Sequence, residues 1–120
     1  MADTAAADEE YRIVSTALDQ AFYRTVYPDL NRSDVDPIRH YLESGWREGR
    51  DPAPWFSVRG YLARNPDIAQ GGLEPLTHYL MHGGPEGREA SPSEHAKAYL
   101  RSGADPLWSY DPDVVAPDRR

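Results

Sequence analysis

The chain has 120 residues, a formal net charge of −7 and no cysteine, which fits one domain with a modest core. The absence of cysteine excludes disulfides, thiolate nucleophiles and Cys-based zinc sites. The acidic balance argues against nucleic-acid binding, which needs clustered Lys and Arg. No apolar run approaches the roughly 18 residues that a membrane span requires, so we expect no membrane insertion.

The N-terminal region is predicted to be a flexible segment followed by one helix. The first ten residues are acidic, lack an apolar run and show no secretory signal, and residues 1–8 are predicted to be flexible. Residues 9–18 have Tyr11, Val14 and Leu18 at helical spacing, which predicts an extra helix there. We expect a single helical domain over residues 9–110.

A tandem duplication with an offset of 38 residues dominates the rest of the sequence. Aligning residues 23–54 with residues 61–92 needs no gap and gives twelve identities in 32 positions, against about two expected by chance. The duplication defines two units, residues 19–54 and 57–92. The identical pairs are Tyr23 and Tyr61, Pro28 and Pro66, Asp29 and Asp67, Pro37 and Pro75, His40 and His78, Tyr41 and Tyr79, Leu42 and Leu80, Gly45 and Gly83, Glu48 and Glu86, Gly49 and Gly87, Arg50 and Arg88, and Pro54 and Pro92.

Each unit is predicted to contain two helices joined by a turn. Proline cannot continue a helix, so the first helix ends before Pro28 and Pro66. An acidic residue followed by proline, at positions 36–37 and 74–75, predicts the N-cap and first position of the second helix.

The second helix is predicted to carry an apolar face and to end at a glycine. Its i, i+3 and i+4 positions are apolar in both units, and in the second unit they are Leu76, Tyr79 and Leu80. Gly45 and Gly83 then stand where a left-handed C-terminal cap is expected.

The C-terminal region is predicted to contain a degenerate third unit, residues 93–110, and a tail, residues 111–120. Ser91 and Glu94 have the spacing of a capping box. The helix that follows is expected to run through Tyr99 to a cap at Gly103, with Tyr99 as the counterpart of Tyr41. No run of alternating β-branched residues predicts a strand, so the predicted fold is all-α, with short helix-turn-helix pairs stacked as a minimal solenoid.

The recurrent polar residues have structural and functional interpretations. His40 and His78 are expected to hydrogen-bond a carbonyl or tyrosine at a packing seam. His78 and His82 have a metal-compatible spacing, but Ser44 replaces His82 in the first unit and a zinc site needs three or four converging ligands. We therefore expect no metal site and no cofactor.

The recurrent charges predict a clamp within each unit. Arg50 and Arg88 can reach the carboxylates of Asp29 and Asp67. Glu48 and Glu86 are alternative partners, and recognition of a ligand by these charges is the other interpretation. The sequence alone does not choose between them.

Nucleophile and phosphate-binding motifs are absent from the sequence, so no catalytic residue is assigned and we expect a protein that is not an enzyme. Of the three tryptophans, Trp55 is expected in the core. Trp46 and Trp108 are the candidate interaction residues, because aromatic side chains dominate interface energetics. Trp46 could be a lid over the repeat junction, a platform for a sugar or an anchor for a protein.

Residues 18 to about 92 resemble a known bacterial repeat. The resemblance rests on two strings, FYRTVYPDL with DPIRHYLESGWREGRDPAPWF, and YLARNPDI with EPLTHYLMHGGPEGREASP, which share the specific core HYLxxGxxEGR. Asn65 replaces a tyrosine of the pattern, and Ser93-Glu94 replaces the aromatic start of a further unit. Repeats of this kind accompany glycosyltransferases and polysaccharide-related proteins, and similar ones occur in surface spikes of phage-like gene transfer particles.

The resemblance implies a structural or interaction module linked to bacterial cell-surface polysaccharide, such as a head-spike or attachment subunit of a phage-like particle. The expected partners are proteins of a larger assembly and cell-surface polysaccharide. Such a protein would be made in the bacterial cytoplasm and carried outside on the particle. Two alternatives are an accessory scaffold or targeting domain for a glycosyltransferase, and a lectin-like sugar-binding module.

Overall fold

Seven α-helices follow one another in the computed structural model, which describes the backbone of residues 4–101 and the side chains of residues 8–101. These residues contain no strand, only an isolated antiparallel bridge between Ala53 and Phe56. The predicted all-α fold is therefore confirmed. The helices are α1 (Thr4–Ser15), α2 (Gln20–Val26), α3 (Pro37–His40), α4 (Val58–Arg64), α5 (Pro66–Gly71), α6 (Pro75–His78) and α7 (Ala96–Arg101).

The two units have the same helices at the same offset. Helices α2 and α4 begin at residues 20 and 58, and α3 and α6 begin at residues 37 and 75, so each pair is 38 residues apart. Both second helices continue into a π-helical turn, Tyr41–Gly45 in the first unit and Tyr79–Gly83 in the second. The stacked helix-turn-helix pairing predicted from the repeat is present.

A third copy of the first helix follows the second unit. Helix α7 begins at residue 96, again 38 residues after α4. Tyr99 therefore takes the place of Tyr23 and Tyr61, and the predicted equivalence of Tyr99 with Tyr41 is wrong. The Tyr-Leu step occurs in both helices of the second unit, at Tyr61 and at Tyr79, so the sequence match at this point was ambiguous. The predicted cap at Gly103, the rest of the third unit and residues 111–120 lie outside the described residues.

The starts of the second helices are confirmed. The Asp36 side chain accepts hydrogen bonds from the backbone N–H groups of Ile38 and Arg39, and the Glu74 side chain accepts them from Leu76 and Thr77. These bonds satisfy donors that a helix N-terminus otherwise leaves free.

The apolar face of the second helices is narrower than predicted. Its first two positions are buried in both units. The third position, Leu42 in the first unit and Leu80 in the second, is only partly buried and packs against the outside of the core. Successive residues of a helix point about 100° apart. Because Tyr41 and Tyr79 face the core directly, the leucine that follows each of them turns towards its edge.

The turn predicted between the two helices of a unit contains a short helical piece in both units. The first unit has a 3-10 turn, Pro28–Leu30, and the second has α5. Pro28 and Pro66 end one helix as predicted, and each also begins the next, because the first helical position needs no N–H donor.

The predicted helix ends at Gly45 and Gly83 are wrong. Neither glycine has a positive φ; among residues 4–101 the left-handed glycines are Gly49, Gly72 and Gly87. Gly49 N–H donates to the Trp46 carbonyl at 3.1 Å, and Arg50 N–H donates to the Gly45 carbonyl at 2.9 Å. This pair of bonds is a Schellman motif with Gly49 as its left-handed residue, and the second unit repeats it around Gly87.

Gly45 and Gly83 have a different role, which is close approach. A Cβ atom on Gly45 would collide with the hydroxyl of Tyr23, and a Cβ on Gly83 would collide with the hydroxyl of Tyr61. Both tyrosines are completely buried, so their rings have no room to move away. Glycine is required here because it lets the tyrosine of the first helix touch the backbone of the second.

The two ends of the described region also differ from expectation. Helix α1 begins at Thr4, within the segment predicted to be flexible, and ends at Ser15 rather than residue 18. The capping box at Ser91 is wrong. Ser93 instead accepts the N–H of His95 at 3.1 Å, while the Ser91 carbonyl accepts the N–H of Ser57 at 2.7 Å. Ser91 therefore joins the end of the second unit to its start, which the local spacing could not reveal.

One hydrophobic cluster runs through α1 and both units. Trp55 is 2% exposed, which confirms its predicted place in the core, and its ring lies 5.6 Å from that of Phe56. Helix α1 contacts both α3 and α6. None of the helices in residues 4–101 combines the length and apolar character of a membrane span.

We predict that Gly45→Ala lowers the free energy of unfolding by about 1–3 kcal/mol, the usual cost of overpacking a core. Gly71→Ala is the matched control, since Gly71 is also helical but its added Cβ would meet only Leu73 at 3.6 Å. It should be neutral or stabilising by up to about 1 kcal/mol. Urea unfolding measures both.

Adding Tyr23→Phe to Gly45→Ala should recover part of the loss, because it removes the colliding hydroxyl. If Gly45→Ala proves as benign as Gly71→Ala, the close approach does not constrain the fold.

Candidate functional site

Each unit contains a buried tyrosine whose hydroxyl meets a partly buried histidine. The Tyr23 hydroxyl lies 2.9 Å from His40 Nδ1, and the Tyr61 hydroxyl lies 2.8 Å from His78 Nδ1. The predicted hydrogen bond of each recurrent histidine to a tyrosine is therefore present. Burial raises the pKa of Tyr61 to about 12, which keeps its hydroxyl protonated. Burial, followed by the charge of Arg88, lowers the pKa of His78, so a neutral ring is favoured.

The arginines of the repeat each bind both of the carboxylates that the sequence offered as partners. Arg50 Nη1 lies 3.1 Å from Asp29, and Arg50 Nε lies 2.9 Å from Glu48. Arg88 makes the same pairs with Asp67 and Glu86, both at 3.0 Å. The hydrogen bond from arginine is the main reason why the pKa values of Asp29 and Asp67 are lowered.

The arginine of each clamp also contacts the residue that ends the first helix of its unit. The Arg50 guanidinium carbon lies 4.9 Å from the centre of the Tyr27 ring, a cation–π distance. In the second unit Arg88 instead donates to the Asn65 side chain at 2.8 Å. Asn65 departs from the tyrosine of the repeat pattern, yet it keeps the contact with arginine. The arginine donors are thus directed into their own unit.

A second set of polar contacts joins neighbouring units through the helix caps. The Tyr41 hydroxyl donates to the Glu74 carboxylate at 2.5 Å. The Tyr11 hydroxyl, from α1, donates to the Asp36 carboxylate at 2.6 Å. A tyrosine from an earlier, non-adjacent helical segment therefore binds the carboxylate that begins each second helix. We call this arrangement the tyrosine–cap contact.

The two cap carboxylates differ in burial, since Glu74 is buried and Asp36 is partly exposed. Burial raises the pKa of Glu74, although hydrogen bonds from Thr77 and Tyr41 oppose it. Burial is also the largest single influence on Asp36, but the bonds from Tyr11 and the backbone together lower its pKa. The pKa values of two equivalent residues of the repeat are therefore shifted in opposite directions.

Asp51 is a third buried carboxylate, and the sequence analysis did not single it out. It accepts the Ser93 hydroxyl at 2.6 Å and the Val58 N–H at 2.8 Å, and burial raises its pKa. The Tyr27 hydroxyl accepts the backbone N–H of Asp51 at 2.7 Å. The sequence signal was the Asp-Pro step at residues 51–52, which resembles the steps that begin the second helices. Here, however, the carboxylate links the end of the first unit to Ser93, which follows the second unit.

The possible metal ligands do not converge within the described residues. The rings of His78 and His82 lie 5.7 Å apart, and residues 8–101 contain no group of three potential ligands. The carboxylate one turn earlier, that of Glu74, is buried and bonded to Tyr41, Leu76 and Thr77. It therefore serves the fold at this position.

Trp46 is the only candidate interaction residue that falls in the described region, since Trp108 lies outside it. Trp46 is half-buried, and its ring packs against the core. Its indole N–H donates to the Leu42 carbonyl at 3.2 Å. The exposed Arg47 side chain lies over the ring, 4.7 Å from its centre. Trp46 and Arg47 together form a surface element that we call the Trp46–Arg47 pair.

Comparison of the chain with protein-family models, curated proteins and solved structures gave no match.

We predict opposite effects of two cap substitutions on the pH dependence of stability. As the pH rises above 4.5, the ordinary value for Glu74, the unfolded chain loses this proton first, so Glu74 makes stability fall. Glu74→Gln should remove that fall. As the pH drops below 3.8, the ordinary value for Asp36, the unfolded chain binds the proton first, so stability is lost with acid. Asp36→Asn should reduce that loss.

Urea unfolding of the wild type and both variants across the acid-to-neutral range measures these slopes. The two variants control for each other, because each removes one carboxylate from an equivalent cap. Slopes that change in the same direction would contradict the assignment of burial as the difference between them.

Proposed function

We propose that this chain is a non-enzymatic interaction module that binds a protein partner within a larger assembly linked to bacterial cell-surface polysaccharide. The Trp46–Arg47 pair carries the proposal. Trp46 is partly exposed and Arg47 is exposed, whereas the polar side chains that recur in both units contact other parts of the fold. A head-spike or attachment subunit of a phage-like particle is the assembly that the HYLxxGxxEGR resemblance favours.

The frame supports this proposal because what recurs in both units builds the fold. The tyrosine–histidine pairs, the arginine clamps and the cap carboxylates contact their own unit or the next one. These residues are therefore engaged in holding the repeat together. Specific recognition is then expected at exposed positions where the two units differ.

The largest such difference lies at the end of the second helix. The first unit has Trp46 and Arg47, and the second has Gly84 and Pro85 at the same positions. Tryptophan and arginine are the residue types that most often dominate the energetics of protein interfaces. A ring already held by the core and by its indole hydrogen bond loses little freedom on binding.

The same geometry makes a protein partner a better fit than a sugar. A sugar platform needs an open aromatic face, whereas the Arg47 guanidinium lies over the Trp46 ring. Arg47 would have to move before a sugar could stack. We therefore place the link to polysaccharide in the assembly as a whole and keep the lectin-like function as the second candidate.

We predict that the tagged full chain, recovered from its native bacterium, elutes with a large particle in size-exclusion chromatography. Trp46→Ala and Arg47→Ala should each reduce the bound fraction at least about tenfold, the effect of losing an interface hot spot. Met81→Ala is the matched control, because Met81 is 47% exposed at the end of the corresponding helix of the second unit. It should bind like the wild type.

Circular dichroism of the variants must match that of the wild type, so that lost binding is not lost folding. A wild-type chain that elutes alone, or variants that all bind equally, would contradict the proposal. A saturable change in tryptophan fluorescence on adding cell-surface polysaccharide, lost in Trp46→Phe, would favour the lectin-like function instead.

A further inference from the structure

Arg47 is held in position, yet most of its N–H donors meet no acceptor among residues 8–101. Its guanidinium carbon lies 4.7 Å from the centre of the Trp46 ring, and its Nη1 donates to the Glu43 carbonyl at 3.0 Å. A guanidinium has five N–H donors in a planar fork, so this one hydrogen bond leaves the others available. The carboxylate of Glu43 does not use them, because it pairs with Arg39 at 3.8 Å.

Arg47 differs in this respect from most arginines in the described part of the chain. Ion pairs with carboxylates are formed by Arg12, Arg32, Arg39, Arg50 and Arg88. Arg24 donates to three backbone carbonyls. By contrast, a single carbonyl and no carboxylate of residues 8–101 is bound by each of Arg47, Arg59 and Arg64. These three side chains have donors available to a carboxylate of another molecule.

Two of the three lie at the same turn. Arg59, near the start of α4, is exposed, and its Nη2 donates to the Glu48 carbonyl at 3.3 Å. Arg47 directly precedes Glu48 in that turn. The Glu48 carboxylate neutralises neither of them, because it pairs with Arg50 at 2.9 Å. The turn therefore presents two unpaired positive charges on a chain whose net charge is −7.

We propose that the partner presents an acidic surface to this turn, and that an Asp or Glu side chain of the partner binds the Arg47 guanidinium. The two oxygens of a carboxylate match two parallel N–H groups of a guanidinium. Because Trp46 and the Glu43 carbonyl already hold this guanidinium, it loses little freedom on binding. Arg59 adds to the attraction, which speeds association and disfavours partners of the wrong charge. This proposal rests on the proposed function, because it gives the chemistry of the same partner.

Charge reversal tests this in the full-length chain, with the large particle recovered from the native bacterium as the probe. Arg47→Glu should lower the bound fraction at least about tenfold below that of Arg47→Ala, because a like charge then faces the partner. Arg59→Glu should also lower the bound fraction. Wild-type binding should weaken as the salt concentration rises, and both reversals should reduce that dependence.

Arg64→Glu is the matched control. Arg64 is exposed on the same helix as Arg59 and also donates to one backbone carbonyl, that of Glu89 at 3.1 Å. The substitution changes the net charge by the same amount, but beside the end of the second unit. It should bind like the wild type.

A cross-link without a spacer identifies the group that residue 47 meets. Lys97 is the only lysine of the chain, so Arg47→Lys places a new side-chain amine at this turn. A carbodiimide condenses such an amine with a carboxylate that touches it, giving an amide and a urea. Mass spectrometry should find residue 47 joined to an Asp or Glu side chain of a particle protein. Residue 64 of the control variant Arg64→Lys should not be joined to one.

The outcomes separate this proposal from the proposed function. A wild-type chain that does not bind the particle contradicts the proposed function itself. If the wild type binds but Arg47→Glu binds no worse than Arg47→Ala, the proposed function stands and the acidic partner is wrong. The absence of a cross-link from residue 47 to a particle protein would also overturn the proposal. A cross-link to a uronic acid alone would do so in favour of the lectin-like function.

Discussion

The contact between a buried tyrosine hydroxyl and a glycine backbone fixes how the two helices of each unit meet. Tyr23, in the first helix, contacts Gly45 of the second helix, and its hydroxyl also hydrogen-bonds to His40 of that second helix. The second unit repeats the contact with Tyr61 and Gly83. Because a side chain at the glycine would displace the tyrosine, the spacing of the helices and the position of the histidine depend on one another.

The contacts between units follow from this geometry. With the second helix held against the first, Tyr41 projects to the start of the next second helix and bonds to Glu74. The helix then ends at the Schellman glycine, and the following arginine turns back to its carboxylates. Buried polar groups thus join the units one after another, as the nearest-neighbour contacts of a solenoid do.

The sequence predicted the fold class, the repeat and the starts of the second helices because these follow from the residues themselves and their nearest neighbours. Asp36-Pro37 is an N-cap because the carboxylate accepts the N–H groups of residues only two and three positions further along the chain. Gly45 was wrongly predicted to be a C-terminal cap. A glycine that caps a helix and a glycine that lets another side chain touch the backbone can both follow an apolar helix face at this spacing. The clamp partners of Arg50 were both named, but only the structure placed Asp29 and Glu48 on one guanidinium. Tyr11 was not recognised as a cap partner because α1 is not part of the repeat.

The two units differ in detail, but the tyrosine–histidine pair is built in the same way in both. Nitrogen-15 NMR of the imidazole rings tests this most directly. If Tyr23 and Tyr61 donate to Nδ1, both His40 and His78 carry their proton on Nε2, and their Nδ1 signals report matching unprotonated acceptors. A proton on Nδ1 of either ring, or two dissimilar rings, would contradict the account.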